Sequence, residues 1–200
     1  MTQAKRVLSI NGSYRDDGIT DQAIEAATDA LRQSGVEVET VTLRDYPIEF
    51  CLNCRACTQE PGDAPGRCVH HDGMRDVIEK IELADAYILA APTNFDYVTA
   101  LFKRFMERLV VYAYWPWGAP APKFRKMKSP KKKALLISSS AAPGFMGRWL
   151  FGSTKQLKMT AKVIGADPVG TLFTGLIAGE PDTRLPRRMR RKALALADKL

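Results

Sequence analysis

No stretch of the 200-residue sequence approaches the roughly 18 consecutive apolar residues that a membrane-crossing helix needs, so none is expected. The opening Met-Thr-Gln-Ala-Lys-Arg runs straight into a short apolar segment without a cleavage pattern. A secretory leader is therefore not expected, and cytoplasmic residence follows as the default. The first glycine-bearing loop is neither G-x-G-x-x-G nor G-x-x-x-x-G-K-[ST], which disfavours a Rossmann dinucleotide site and a Walker-type nucleotidase. Helix-turn-helix, zinc-finger and RNA-recognition signatures are missing too, so nucleic acid is not expected as a partner. Cysteine is scarce and confined: Cys51, Cys54, Cys57 and Cys68 are the only four. Thiols grouped this way in a reducing compartment suit metal binding or redox work better than structural disulfides.

The chain length fits one domain of roughly 100–200 residues with a real core. Its 46% hydrophobic and 26% charged residues are those of a soluble globular protein. The net charge of +8 is concentrated in Lys123–Lys133 and Arg184–Lys192. Without a recognition motif, each run reads most simply as a solvated basic face or an attractor of anions.

Apolar, strand-like segments alternate with helical ones along the sequence. Strands are expected at Val7–Asn11, Val36–Leu43, Ala86–Ala91, Ala134–Ser138 and Val169–Thr174. Helices are expected at Thr20–Ser34, Met74–Leu83, Val98–Tyr114, Phe151–Ile164 and from about Leu185. Strands that are apolar throughout, interleaved with helices, argue a parallel sheet covered on both faces. The predicted fold is a doubly wound, three-layer α/β sandwich with a five-stranded parallel sheet, in one domain. Its ligands belong beyond the carboxyl ends of the strands. The segment from about 114 to 131, rich in Pro, Trp, Gly and Lys, reads as an insertion.

Three loops then converge. In the first, Asn11-Gly12-Ser13 leads through Arg15 and Gly18 into a helix starting near Thr20. Orphan amides and the helix dipole favour an anion there, and Ser13, Arg15 and Thr20 can add donors, so a phosphate is expected. The second, Pro92-Thr93-Asn94-Phe95-Asp96-Tyr97, offers amides and aromatics to the edge of a heterocycle. The third, Ser138 to Phe145, is small and polar and lets a planar ring lie against backbone. Together they suit a mononucleotide.

The string Gly12-Ser13-Tyr14-Arg15 with Gly18-Ile19-Thr20 resembles the phosphate loop of the flavodoxin-like NAD(P)H-dependent FMN reductases. Asp72-Gly73-Met74, Ala84-Asp85-Ala86, Ala91-Pro92-Thr93-Asn94-Phe95 and Leu101 to Arg108 resemble further motifs of that family, in the same order. The likeness covers roughly residues 5–175. It implies a flavodoxin-like fold, FMN as cofactor and NAD(P)H as co-substrate. The electrons would pass to a small acceptor such as a flavin or quinone. It also implies a homo-oligomer, dimer or tetramer. Carried onto this sequence, it places cofactor contacts at Ser13, Arg15, Gly18, Ile19 and Thr20, at Pro92, Thr93, Asn94, Phe95 and Asp96, and at Ser139, Ser140, Ala141 and Gly144. No catalytic side chain is implied, because the flavin carries the chemistry. Tyr14 and Ile19 depart from the family's usual residues, and Asp16 and Asp17 would oppose a phosphate unless they face solvent.

The cysteines form C-x2-C-x2-C-x10-C, whose short gaps let a tight loop aim several sulfurs at one cluster. The pattern resembles the compact cysteine motif of iron–sulfur flavoproteins, which set a [4Fe–4S] cluster beside FMN; the last gap is longer here. Tetrahedral zinc and uncoordinated redox thiols are the other readings, with His70 and His71 close by. Tyr112, Tyr114, Trp115 and Trp117 could form a lid, line a partner copy's pocket or simply pack. The adjoining basic run could attract the 2′-phosphate of NADPH or anionic lipid. Surface solvation is the simpler account of it. The alternative to an enzyme is a flavin-binding regulatory module that docks nucleic acid or membrane through this run.

Overall fold

A computed structural model describes residues 4–144, 151–176 and 183–200. Five apolar segments form one parallel sheet: β1 (Arg6–Asn11), β2 (Glu37–Thr42), β3 (Ala86–Ala90), β4 (Lys132–Ser139) and β5 (Ala166–Thr174). They lie in the order β2-β1-β3-β4-β5, with Ile10 opposite Val41 on one side and Leu89 on the other. The strand order reverses at β1. A crevice therefore opens beyond the carboxyl ends of β1 and β3, where doubly wound folds bind their ligands. This is the flavodoxin-like arrangement expected from the sequence.

Alternate residues of each strand face opposite layers, and both layers are covered. Helix α1 (Ile19–Gln33) and helix α5 (Arg187–Ala197) cover one face, where Ala27, Leu31 and Ala193 pack with Val7, Ile88 and Leu135. Helices α2 (Met74–Leu83), α3 (Ala100–Arg108) and α4 (Gly152–Val163) cover the other. There Ile81, Phe102 and Leu157 pack with Leu8, Tyr87 and Leu136. Burial on both faces explains why the inner strands are apolar without alternation. The edge strand β2 instead exposes Glu37 and Glu39, charges that discourage pairing with another edge. Helix α5 exposes Arg187, Arg188, Arg190 and Arg191, as a solvated basic face should, and buries Ala193 and Leu196 on its other side.

The helix expected over Val98–Tyr114 is shorter. Val98 pairs with Thr93 in a two-residue antiparallel ribbon, α3 stops at Arg108, and a 3-10 turn follows at Leu109–Tyr112. The Val111 carbonyl accepts from the Gly66 amide at 2.8 Å and from Arg125 Nε at 3.1 Å, so remote partners take up a group that a continuing helix would use. The β-branched Val110 and Val111 also resist helix at this point. Strand β4 begins two residues before its predicted start and β5 three, because polar Lys132, Lys133 and Asp167 hide the strand ends. Among the described residues, no helix is long and apolar enough to cross a membrane.

Thr99 joins α3 to the first loop. Its hydroxyl accepts the Phe102 amide at 3.2 Å and donates to the Gly12 carbonyl at 2.7 Å, and the residue is buried. Thr99→Ala is expected to cost about 1–2 kcal/mol, through the lost cap and the carbonyl left without its donor. Urea unfolding should show a lower midpoint with unchanged slope, and Thr99→Ser should recover most of the difference.

Candidate functional site

The first loop is fixed by its own side chains. Asn11 Oδ1 accepts the Ser13 amide at 2.9 Å while Asn11 Nδ2 donates to Asp21 at 2.9 Å, and the Ser13 hydroxyl accepts the Arg15 amide at 3.2 Å. Gly18 stands at the N-cap of α1, and no side chain caps the helix. The helix head is thus presented to the crevice with its dipole uncapped, as an anion site requires. Asp16 pairs with Arg44, and Asp17 pairs with Arg184 at 2.7 Å, so both acids are matched by cations outside the loop. Burial pushes the Asp21 carboxyl upward against the Asn11 amide and Arg44, which weakens its opposition to a neighbouring anion.

Hydroxyl bonds join the three loops. The Thr20 and Ser139 hydroxyls are 3.0 Å apart, linking the head of α1 to the end of β4. Thr93 Oγ1 lies 2.8 Å from Ser153 Oγ and 3.3 Å from Ser138 Oγ, and Ser138 donates to the Ala91 carbonyl at 2.9 Å. Between the loops lies a cleft of about 340 Å³. Ser13, Arg15, Gly18, Ile19 and Thr20 line it from the first loop; Pro92, Thr93 and Asn94 line it from the second, and Ser139 and Ala141 from the third.

Phe95, Asp96, Ser140 and Gly144 do not line this cleft. Phe95 and Asp96 turn the ribbon with φ of 44° and 74°, which carries the Phe95 ring fully into solvent. Ser140 is buried with its amide on the Thr174 carbonyl at 2.9 Å, and Gly144 packs against the Gly175 backbone. Phe145 lies outside the described residues. Tyr14, Asp17, Thr99 and Thr183 also line the cleft, though the sequence did not single them out as contacts. Tyr14 sits inside the loop string and could have been included. Thr183 comes from just before α5 and carries no local signal.

The four cysteines meet elsewhere. All four line one pocket of about 50 Å³. Asn53 and Arg55 adopt φ of 52° and 60°, bending the chain twice between cysteines so that the sulfurs face a common space. Cys57 is the buried member, and burial together with the Cys68, Cys51 and Cys54 thiols pushes its thiol up to about 11. Among the described residues no group of three or more His, Cys, Asp or Glu forms a ready site for one metal ion. The thiols frame a space rather than grip a point. Arg108 approaches this space with Nη2 3.5 Å from Cys68 Sγ, and its guanidinium is paired with Asp72 at 2.6 and 3.1 Å. His70 joins the lining with Nε2 3.1 Å from the Phe50 carbonyl, whereas His71 pairs with Arg75.

The insertion braces this pocket and does not cover the crevice. The Arg55 guanidinium stacks over Trp115 at 3.8 Å and Trp117 at 4.4 Å, and donates to the Trp115 carbonyl at 2.6 Å. Buried Arg125 donates to the carbonyls of Val111, Gly62, Cys57 and Glu60 at 2.9–3.3 Å. The basic run is therefore only partly a solvated face: Lys123, Lys128, Lys131 and Lys133 are exposed, but Arg125 is structural and Lys126 pairs with Glu82.

The profile of the NADPH-dependent FMN reductase family matches residues 5–165. An iron–sulfur flavoprotein from Archaeoglobus fulgidus is 35% identical over 111 residues, 56% of this chain and 48% of that protein. Another, from Methanocaldococcus jannaschii, is 32% identical over 103 residues, 52% of this chain and 51% of its own length. The chain spans about half the length of the curated relatives it matches. Among solved structures, the NAD(P)H:quinone oxidoreductase from Methanothermobacter marburgensis superposes with a TM-score of 0.67 at 17% identity, over 98% of this chain and 97% of that one. That likeness is one of fold.

Proposed function

The chain belongs to the NADPH-dependent FMN reductase family, and from that premise we propose that it holds FMN in the cleft at the head of α1 and passes electrons from NADH or NADPH to a small acceptor. With a quinone as acceptor, NADPH, a proton and the quinone yield NADP⁺ and the quinol. The observation that carries this reading is the joining of three loops by hydroxyl bonds around an uncapped helix head. Ser13, Arg15, Gly18, Ile19 and Thr20 would hold the phosphate through amides, hydroxyls and one guanidinium. Pro92, Thr93, Asn94, Ser139 and Ala141 would take the ring, with Ser140 and Gly144 supporting the third loop from behind. Phe95 and Asp96 shape the turn beside it. Bound flavin supplies the hydride and single-electron chemistry. The side chains bind and orient it, and none is asked to move a proton during hydride transfer.

Four thiols around one pocket favour a second group, an iron–sulfur cluster held by Cys51, Cys54, Cys57 and Cys68. Soft sulfur donors suit it, and the Arg108 N–H toward Cys68 is the kind of contact that tunes a cluster. The visible spectrum of protein purified without air tests both parts. Flavin bands with a shoulder bleached by dithionite are expected. Colourless protein that takes up no added FMN would overturn the reading.

Arg15→Ala is expected to weaken FMN binding by about tenfold to a hundredfold, the range for one hydrogen bond to a charged group. Quenching of FMN fluorescence on titration into the apoprotein measures it, and unchanged affinity would remove Arg15 from the phosphate site.

A further inference from the structure

Gln22, half-buried in the first turn of α1, spends both ends of its side-chain amide on backbone. Its Nε2 donates to the Asp17 carbonyl at 2.8 Å and to the Thr183 carbonyl at 3.4 Å. Its Oε1 accepts the Leu185 amide at 2.8 Å, across 163 residues of sequence. One side chain thus fastens the segment Thr183–Leu185 to the first loop.

Two further contacts fix how this segment approaches. Leu185 packs on the core layer that holds Ala27 and Leu31 of α1, and Arg184 Nη1 donates to Asp17 Oδ2 at 2.7 Å. Thr183 then lines the same cleft as Gly18, Ile19 and Thr20, adding a wall to what the three loops and Thr99 enclose. Asp17 lines that cleft too, from a left-handed bend with φ of 51°. A carboxylate so placed repels a phosphate dianion unless a cation offsets it, and the cation comes from this segment. An exposed ion pair contributes little to stability. Beside an anion site it has a different use.

We infer that Thr183 and Arg184 belong to the phosphate seat, and that Gln22 is the positioning residue that holds them there. Arg184 offsets Asp17, and Thr183 closes the seat beside the head of α1. The hydrogen bonds of Gln22 and Arg184 run to the first loop and to the segment itself, not to Pro92, Thr93 or Asn94, the residues read above as holding the ring. The signature is therefore selectivity for FMN over riboflavin, which has the same ring without the phosphate. The inference deepens the flavin reading above and rests on it.

Titration of FMN and of riboflavin into the apoprotein, followed by flavin fluorescence, tests it. Gln22→Ala is expected to weaken FMN binding about tenfold, the scale of one hydrogen bond to a charged group, while riboflavin affinity is unchanged. Arg184→Glu, at an exposed position, gives a second reading that does not depend on the packing of α1. It is expected to weaken FMN binding at low ionic strength and to do so less at high ionic strength, where exposed charges are screened. FMN affinity unchanged in either variant, or FMN and riboflavin weakened equally, overturns the assignment. Failure of the flavin reading shows differently. The parent then binds neither flavin, while inorganic phosphate still raises its thermal midpoint and raises that of Gln22→Ala less. No rise in the parent, or an equal rise in both, overturns the assignment there as well.

Discussion

Arg108→Met is expected to lower the unfolding free energy by about 3–5 kcal/mol, the usual consequence of removing one partner from a buried ion pair. The Arg108 side chain is 2% exposed and that of Asp72 is 8% exposed. The guanidinium also donates to the Glu49 carbonyl at 2.7 Å and toward Cys68, so one side chain ties α3 to both ends of the cysteine segment. Methionine keeps much of the volume but leaves the Asp72 carboxylate buried without its cation. Adding Asp72→Asn should recover most of the loss, since the uncompensated charge then disappears. Urea denaturation of the two single variants and the double variant gives the coupling directly.

The same pair fixes a pH dependence whose sign reverses in the variant. Burial alone would raise the Asp72 carboxyl, but hydrogen bonds from Arg108 and from the Glu49 and Met74 amides, with the Arg108 charge, outweigh it and hold the group below its usual value of 3.8. Because the folded pKa lies below the unfolded one, the pair stabilises fully above that value, and its contribution is lost as pH falls through the folded pKa. In Arg108→Met burial dominates and the carboxyl shifts upward. Acidification then relieves the variant at pH values above 3.8, where the parent still holds its full contribution, and weakens the parent below it, so the stability gap should narrow steadily as the pH falls. A gap that is constant with pH would mean that Asp72 finds another cation.

The sheet and most helices were readable because their causes are local. A strand covered on both faces is apolar at every position, and the Asn11–Thr20 string carries its own turn chemistry. The end of α3 was not readable. Val111 gives its carbonyl to Gly66 and Arg125, partners remote in sequence that no helical periodicity reports. The basic run of the insertion is only partly the solvated face expected of it, for a related reason. A run of lysines and arginines looks like a wet surface, and a buried arginine satisfied wholly by backbone carbonyls needs no acidic partner to betray it. The thiol quartet announced a shared site by spacing, but not its bracing by Arg55, Trp115 and Arg125. Likewise, Ser13 and Thr20 were legible as lining residues of the cleft, whereas Thr183 reaches it only through tertiary structure.

Gly66→Ala is expected to separate the two sites. A Cβ at this position would overlap the Cys57 carbonyl and sit 3.2 Å from Arg125 Nη2. Neither neighbour can yield easily. The Gly66 amide is bound to Val111, and the Cys57 carbonyl accepts from Arg125 at 3.3 Å. The displacement must therefore reach Cys57 itself and Cys68, two residues further on, at a cost of about 1–3 kcal/mol or more. No residue of the cysteine segment lines the cleft at the head of α1. Iron per chain after anaerobic purification should fall at least tenfold while flavin per chain is unchanged. Alkylation of the apoprotein gives a readout that needs no cluster, because Cys57, buried in the parent, should become reactive in the variant. If flavin were lost in step with iron, the two pockets would have to form as one cooperative unit, and the bracing by Arg125 would serve the whole crevice end of the sheet rather than the thiols alone.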